Sequence, residues 1–267
     1  MTYFINSYSF RGYAHTNTGK PCQDYSLSYK DNHRYIIAVA DGHGGPAYIR
    51  SDVGARFACQ AVCDEFKKLS AKDFKNKNQE VLINKIKLDI LDCWNKLVED
   101  HYLSHHFRKK ELSHLNNEQV ASLNNHYIKA YGTTLTGAIV IGRYCLIVAI
   151  GDTEVMGAKK GKSLPVFDKG DEPVANITNS LCQDDAFKHI KVKVCSAKEY
   201  DAIILCTDGL SGPYYDYENF GKTFIEPTVK DIRRHKNDYA TYGLLKSLAT
   251  TFGSGDDVSF AIIQRMA

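Results

Sequence analysis

The sequence predicts an α+β domain built on largely antiparallel β-sheets. Strand-like segments come in blocks; they do not alternate with helices as a doubly wound fold would require. Two apolar runs, 132–142 and 144–158, are separated by little more than a Gly-Arg turn, which reads as a hairpin. Helical periodicity is confined to two stretches ahead of that hairpin and one near the end of the chain.

The elements follow in order. Residues 3–10 (YFINSYSF) and 25–29 (YSLSY) alternate and are rich in aromatics, so they read as strands. Residues 34–41 (RYIIAVAD) form a continuous apolar run, a buried strand. From Ala47 to Leu69, Ile49, Val53, Phe57, Val62 and Phe66 recur at helical spacing, with Pro46 placed for the first turn. A solvated connection rich in Lys and Asn covers 67–79. An amphipathic helix then spans 80–103, its apolar face carrying Ile83, Ile86, Ile90, Trp94 and Leu97. Residues 104–119 read as a polar loop and 123–127 as part of a short helix. After the hairpin comes a loop-rich stretch with Gly161, Pro165, Gly170 and Pro173. Strands are expected at 190–194 and 202–209, a helix at 237–253 capped by Gly253, and a final strand at 257–265. No repeat or linker divides the chain, so 1–267 is expected to form a single domain.

Bulk properties narrow the function. The chain has 267 residues, with 34 basic against 31 acidic side chains and a net charge of +3. So small an excess argues against a nucleic-acid or membrane partner. No apolar run approaches the roughly 18 residues of a membrane helix. The opening MTYFINSYSFRG lacks the basic and apolar regions of a signal peptide, so the cytoplasm is the expected compartment. The eight cysteines form no CxxC pair and several lie in apolar runs, which points to buried free thiols. Cys59 and Cys63, one helical turn apart, read as core thiols. His101, His105 and His106 lack a third ligand at fixed spacing and read as a solvated helix end.

Four aspartates share one setting. Asp41, Asp152, Asp208 and Asp256 each stand where an apolar strand meets a Gly-containing turn. One such residue is a turn cap. Four of them, on neighbouring strands, would converge on one rim of a sheet, where unpartnered carboxylates repel and hard divalent cations are their natural partners.

The segments ADGHGG, YGTTLTGAIV, IGDTEV, LCTDGL and GDDVS, in that order, resemble the metal-dependent protein phosphatases, the type 2C serine/threonine family. Residues 15–24, HTNTGKPCQD, are similar to the opening of a bacterial branch of that family. The likeness runs from about His15 to Phe260. It implies a sandwich of two β-sheets flanked by helices, in α-β-β-α layers. It also implies hydrolysis of phosphoserine and phosphothreonine on proteins, with a serine/threonine kinase as opposing partner. Two Mn²⁺ or Mg²⁺ ions are implied, with a third held loosely. By this resemblance Asp41 bridges two ions and the Gly42 carbonyl binds the second. Asp208 and Asp256 complete the first ion's shell, Asp24 acts near the second through water, and Asp152 helps hold the third. His43 is the general acid. Asp257 is the rival of Asp256 and stands where the family has Asn.

Three departures accompany the likeness. Gln23 takes a place often held by Glu. Glu154 replaces a usual Arg. No arginine stands just before CQD, which leaves His15 and Lys20 as the candidates to meet phosphate, without an arginine's bidentate fork. Asp152 and Asp208 are separated by 55 residues, shorter than the flap of many relatives, which predicts a more open cleft or an unusual target. Two alternatives stand beside the leading reading. One is a catalytically impaired binding module. The other is a metal-dependent phosphatase of a small phosphorylated molecule.

Overall fold

The computed structural model describes residues 2–75, 78–167 and 178–266. Ten strands lie among them: β1 Thr2–Phe10, β2 Asp24–Lys30, β3 Arg34–Asp41, β4 Leu135–Ile141, β5 Tyr144–Ile150, β6 Glu154–Lys159, β7 Lys162–Pro165, β8 Lys191–Ser196, β9 Ala202–Cys206 and β10 Val258–Met266. They form two five-stranded sheets, ordered β1-β10-β9-β6-β7 and β2-β3-β4-β5-β8, with every pairing antiparallel.

Strand periodicity explains the layering. Successive side chains of a strand point to opposite faces. In β3, Ile37 and Val39 face the other sheet and pack with Val140, Ile147, Leu205 and Ile263. Ile36, Ala38 and Ala40 face outward and are covered by helices. The cover is α2 Ser51–Lys68 and α3 Gln79–Ser104, whose inward residues include Ala58, Val62, Ile86 and Trp94; a short α1, Tyr13–Thr18, precedes them. The outer face of the other sheet, with Ile204, Phe260 and Ile262, packs on Phe224, Val229, Ile232 and Leu245 from the C-terminal helices. The layers are therefore helix, sheet, sheet, helix, as predicted.

The connections differ from the expectations at several places. The first long helix begins at Ser51, and Pro46 lies in a turn before it. The polar 104–119 stretch holds α4 Lys109–Leu112 and the start of α5 Asn117–Asn125, which has a capping box from Asn116 and Gln119. The run 144–158 is two strands in two different sheets, because Gly151 turns the chain at φ +97°. A helical turn, α6 Ala186–His189, precedes β8. After β9 come α7 Asp208–Ser211, α8 Tyr217–Phe220, α9 Glu226–His235 and α10 Tyr239–Leu248, and α10 ends at Ala249, ahead of Gly253. Gly170 and Pro173 lie outside the described residues.

Where α2 crosses the chain at Tyr131 there is no room for a side chain. A Cβ on Gly54 would stand 1.9 Å from the Tyr131 carbonyl oxygen. The Gly54 carbonyl in turn accepts from the indole of Trp94 at 3.1 Å. Gly54→Ala is therefore expected to destabilise the protein by about 2–3 kcal/mol through overpacking, although alanine favours a helix by about 1 kcal/mol. A urea midpoint equal to or above the wild-type value would show that the helix can shift without cost.

Candidate active site

The aspartates do converge. Asp24 opens β2 and Asp41 closes β3, and the two are directly paired in the antiparallel register. Asp152 sits in the β5–β6 turn, Asp208 begins α7 just past β9, and Asp256 precedes β10. Together with His15, Gln23, Gly42, His43, Gly44, Thr134 and Asp257 they line one cleft of about 280 Å³ at a single rim of the sandwich. Lys20 is exposed, follows the αL turn at Gly19 that ends α1, and is not among the residues lining the cleft. Among the described lining residues there is no lysine or arginine.

Backbone and hydroxyl groups hold the carboxylates in place. Thr207 Oγ1 donates to Asp24 Oδ2 at 2.7 Å and itself accepts from the Ser259 amide at 3.0 Å. The Asp41 amide donates to Thr134 Oγ1 at 2.9 Å, and its carbonyl accepts from Thr133 Oγ1 at 2.8 Å and the Thr134 amide at 2.9 Å. Thr178 donates to Asp152 at 2.7 Å. A Cβ on Gly42 would lie 2.6 Å from the Ser51 carbonyl and 2.7 Å from that of Gln23, so only glycine lets these three segments close up.

Burial and mutual repulsion dominate the electrostatics. Burial raises the Asp41 pKa well above 3.8, and Asp24, Asp208, Asp152 and Asp256 push the same way. Asp24 is raised by burial and by Asp257 and Asp208, against the Thr207 hydrogen bond. Asp208 is raised by burial, Asp152 and Asp256, and it shares a hydrogen bond with Asp41. Burial lowers the His43 pKa, which Asp152 partly opposes. His43 is seated by its amide on the Gly132 carbonyl at 3.1 Å and by the Tyr48 ring at 4.8 Å between centroids.

Asp256 and Asp257 do different things. Asp256 is exposed to the cleft. Asp257 is buried and accepts from the Gly12 amide at 2.6 Å, the Gln23 amide at 2.6 Å and His15 Nδ1 at 2.7 Å. His15 therefore reaches the cleft already held by a carboxylate. Glu154 opens β6 opposite Cys206 and does not line the cleft.

The donor set suits a hard divalent cation. Its carboxylates offer hard oxygen donors, and among the described lining residues there is no lysine or arginine to neutralise them. Gln23 adds a sign of its own. Its Nε2 donates to Ser51 Oγ at 2.6 Å and to the His43 carbonyl at 3.2 Å, while its Oε1 is buried with no partner among the described residues. Such an acceptor is costly unless a water or ion-bound water donates to it. Among the described residues no three His, Cys, Asp or Glu side chains are gathered to hold an ion as they stand; like charges draw in only once a cation offsets them.

Thr134, Thr207 and Ser51 escaped the sequence reading. Two of them lie within quoted segments, but a hydroxyl's bond to a residue far away in sequence leaves no local pattern.

A two-sheet sandwich with acidic strand ends gathered at one rim defines a class of metal-assisted hydrolases. The profile of the Protein phosphatase 2C family matches residues 11–249. The chain belongs to that family, and is a phosphatase. Solved structures agree in fold across the full length. The S. agalactiae serine/threonine phosphatase aligns with TM-score 0.65 at 15% identity, over 99% of this chain and 100% of that one. The catalytic domain of the serine threonine protein phosphatase PstP, in complex with two manganese ions, gives 0.60 at 17%, over 99% of each. Stp1 from Staphylococcus aureus gives 0.60 at 15%, over 100% of this chain and 96% of that one. No curated protein matches the chain in sequence. Among the described residues no helix is long and apolar enough to cross a membrane.

Proposed function

We propose that the chain hydrolyses phosphoserine and phosphothreonine monoesters on proteins with the help of two Mn²⁺ or Mg²⁺ ions, a third binding loosely. The convergence of Asp24, Asp41, Asp152, Asp208 and Asp256 from separate strand ends on one cleft carries this reading. Asp41 with the Gly42 carbonyl, Asp208 and Asp256 would hold the pair, Asp24 and Gln23 would act beside it through water, and Asp152 would serve the third ion. When bound, the ions supply an activated water and a charge that offsets that of the phosphate.

The remaining work falls to this chain's own groups. His43 is the candidate general acid, giving its proton to the departing serine or threonine oxygen. Burial makes its imidazolium a stronger acid than usual, and Asp152 preserves some of the protonated form. His15, fixed by Asp257, is the remaining candidate to meet a phosphate oxygen. The kinase that would supply such substrates is proposed by family alone.

The test is release of phosphate from a phosphothreonine peptide with Mn²⁺, with Mg²⁺ and with chelator, beside an Asp41→Ala control. Release that needs metal and vanishes in the control is the expected result. Folded protein that releases nothing at saturating Mn²⁺ would overturn the reading. Direct metal titration then separates a small-molecule phosphatase, which binds metal, from a binding module, which does not.

A further inference from the structure

The segment between α3 and α5 has no part in the chemistry above. Its residues 104–114 read SHHFRKKELSH, with six basic or imidazole side chains against a single carboxylate. His105, His106, Arg108, Lys109, Lys110 and His114 are all exposed. The one carboxylate, Glu111, is already engaged by Arg50 at 2.9 Å and Arg108 at 3.0 Å. Burial works against its charge, but the Arg50 and Arg108 hydrogen bonds bring its pKa down to about 2.

This basic surface is clamped to the loop that carries His43. Arg50 is 5% exposed and donates to the His105 carbonyl at 2.6 Å, to the His106 carbonyl at 3.1 Å and to Tyr131 Oη at 2.7 Å. Its guanidinium also lies 4.7 Å from the centre of the Phe107 ring. From the other side, His114 Nε2 donates to the Pro46 carbonyl at 3.1 Å. Pro46 stands two residues from Gly44, which lines the cleft. Burying an arginine is costly unless its bonds are well made. Here those bonds fix a cationic surface beside the catalytic loop. A solvated surface loop would need no such clamp.

We propose that residues 105–114 form a docking surface for acidic sequence flanking the phosphorylated residue of a protein substrate. The proposal rests on the phosphoprotein reading above. Charge complementarity selects the partner: the described cleft lining offers no lysine or arginine, while Arg108, Lys109 and Lys110 are exposed on this segment.

The test compares wild type with the Lys109→Glu/Lys110→Glu variant on three substrates. These are a phosphothreonine peptide flanked by Asp and Glu, the same peptide flanked by Ala, and p-nitrophenyl phosphate. Both lysines are exposed, so the fold is expected to survive. The expected result is a kcat/KM about tenfold lower on the acidic peptide, carried by KM, with the other two substrates unchanged. The wild-type preference for the acidic peptide should also shrink with salt. A wild type that treats both peptides alike, or a variant that loses all three activities equally, would overturn the docking surface. Turnover of p-nitrophenyl phosphate with neither peptide cleaved would overturn the phosphoprotein reading itself, and the docking surface with it.

Discussion

Asp41→Asn is expected to lower kcat/KM by about 10³ or more while making the chelator-treated protein more stable than wild type. The two effects have one cause. Asp41 is the residue on which the repulsion of Asp24, Asp208, Asp152 and Asp256 converges. Amide for carboxylate removes a charge that would bind cations and that, without them, only repels. Relief of that repulsion is worth about 1–3 kcal/mol at partly screened distances. The pH dependence follows with a definite sign. Unfolded, these carboxylates ionise near 3.8; folded and free of metal, Asp24, Asp41 and Asp208 keep their protons to higher pH. The native state therefore holds more protons through that window, and its stability falls as pH rises. Thermal melts in chelator should drop from mildly acidic to neutral pH, less steeply for the variant. Saturating Mn²⁺ should remove the drop in wild type. A variant with activity within tenfold of wild type, or one that melts below it in chelator, would refute this account of the cleft.

Much of this architecture was legible because it rests on period and punctuation. β3 and β4 are apolar over most of their length, as strands covered on both faces tend to be, and the Gly142-Arg143 turn between β4 and β5 is a local signal. The aspartates were legible for a similar reason: each follows or precedes a run too apolar to end on a carboxylate without cause. What failed depends on partners far away in sequence. The 144–158 run reads as one strand because β5 and β6 are both apolar, and only their assignment to different sheets separates them. The Tyr217–His235 helices went unread, since α9 is polar over most of its surface and buries only Thr228, Val229 and Ile232. Lys20 is near CQD in sequence, yet it follows the turn after α1 and is not among the residues lining the cleft, and no local pattern could have told this. The Arg50 clamp pairs residues 55 and 61 positions apart, beyond the reach of any periodicity.

Asp257→Ala is the second large effect, expected to cost about 4 kcal/mol of stability. The side chain is 3% exposed and joins the turn before β10 to the segment that enters β2, residues more than 230 positions away. Truncation would strand the buried amides of Gly12 and Gln23, each at about 1–3 kcal/mol, and release His15. Asparagine is the informative comparison, because it stands at this place in the family pattern. It keeps one acceptor oxygen but turns an NH₂ toward the other donor, so it should recover about half of the lost stability. The pair of variants also separates the two roles open to this residue. A carboxylate that only ties the chain together can become an amide at the expense of stability, leaving metal titration nearly unchanged. A carboxylate that binds an ion would lose metal affinity in the asparagine variant with little change in the urea midpoint of the metal-free protein. The first pattern is expected, since both oxygens of Asp257 are already occupied by protein donors, whereas Asp256, lining the same cleft, is exposed. The second would exchange the roles of the two neighbours and move the proposed ligand set one residue along the chain.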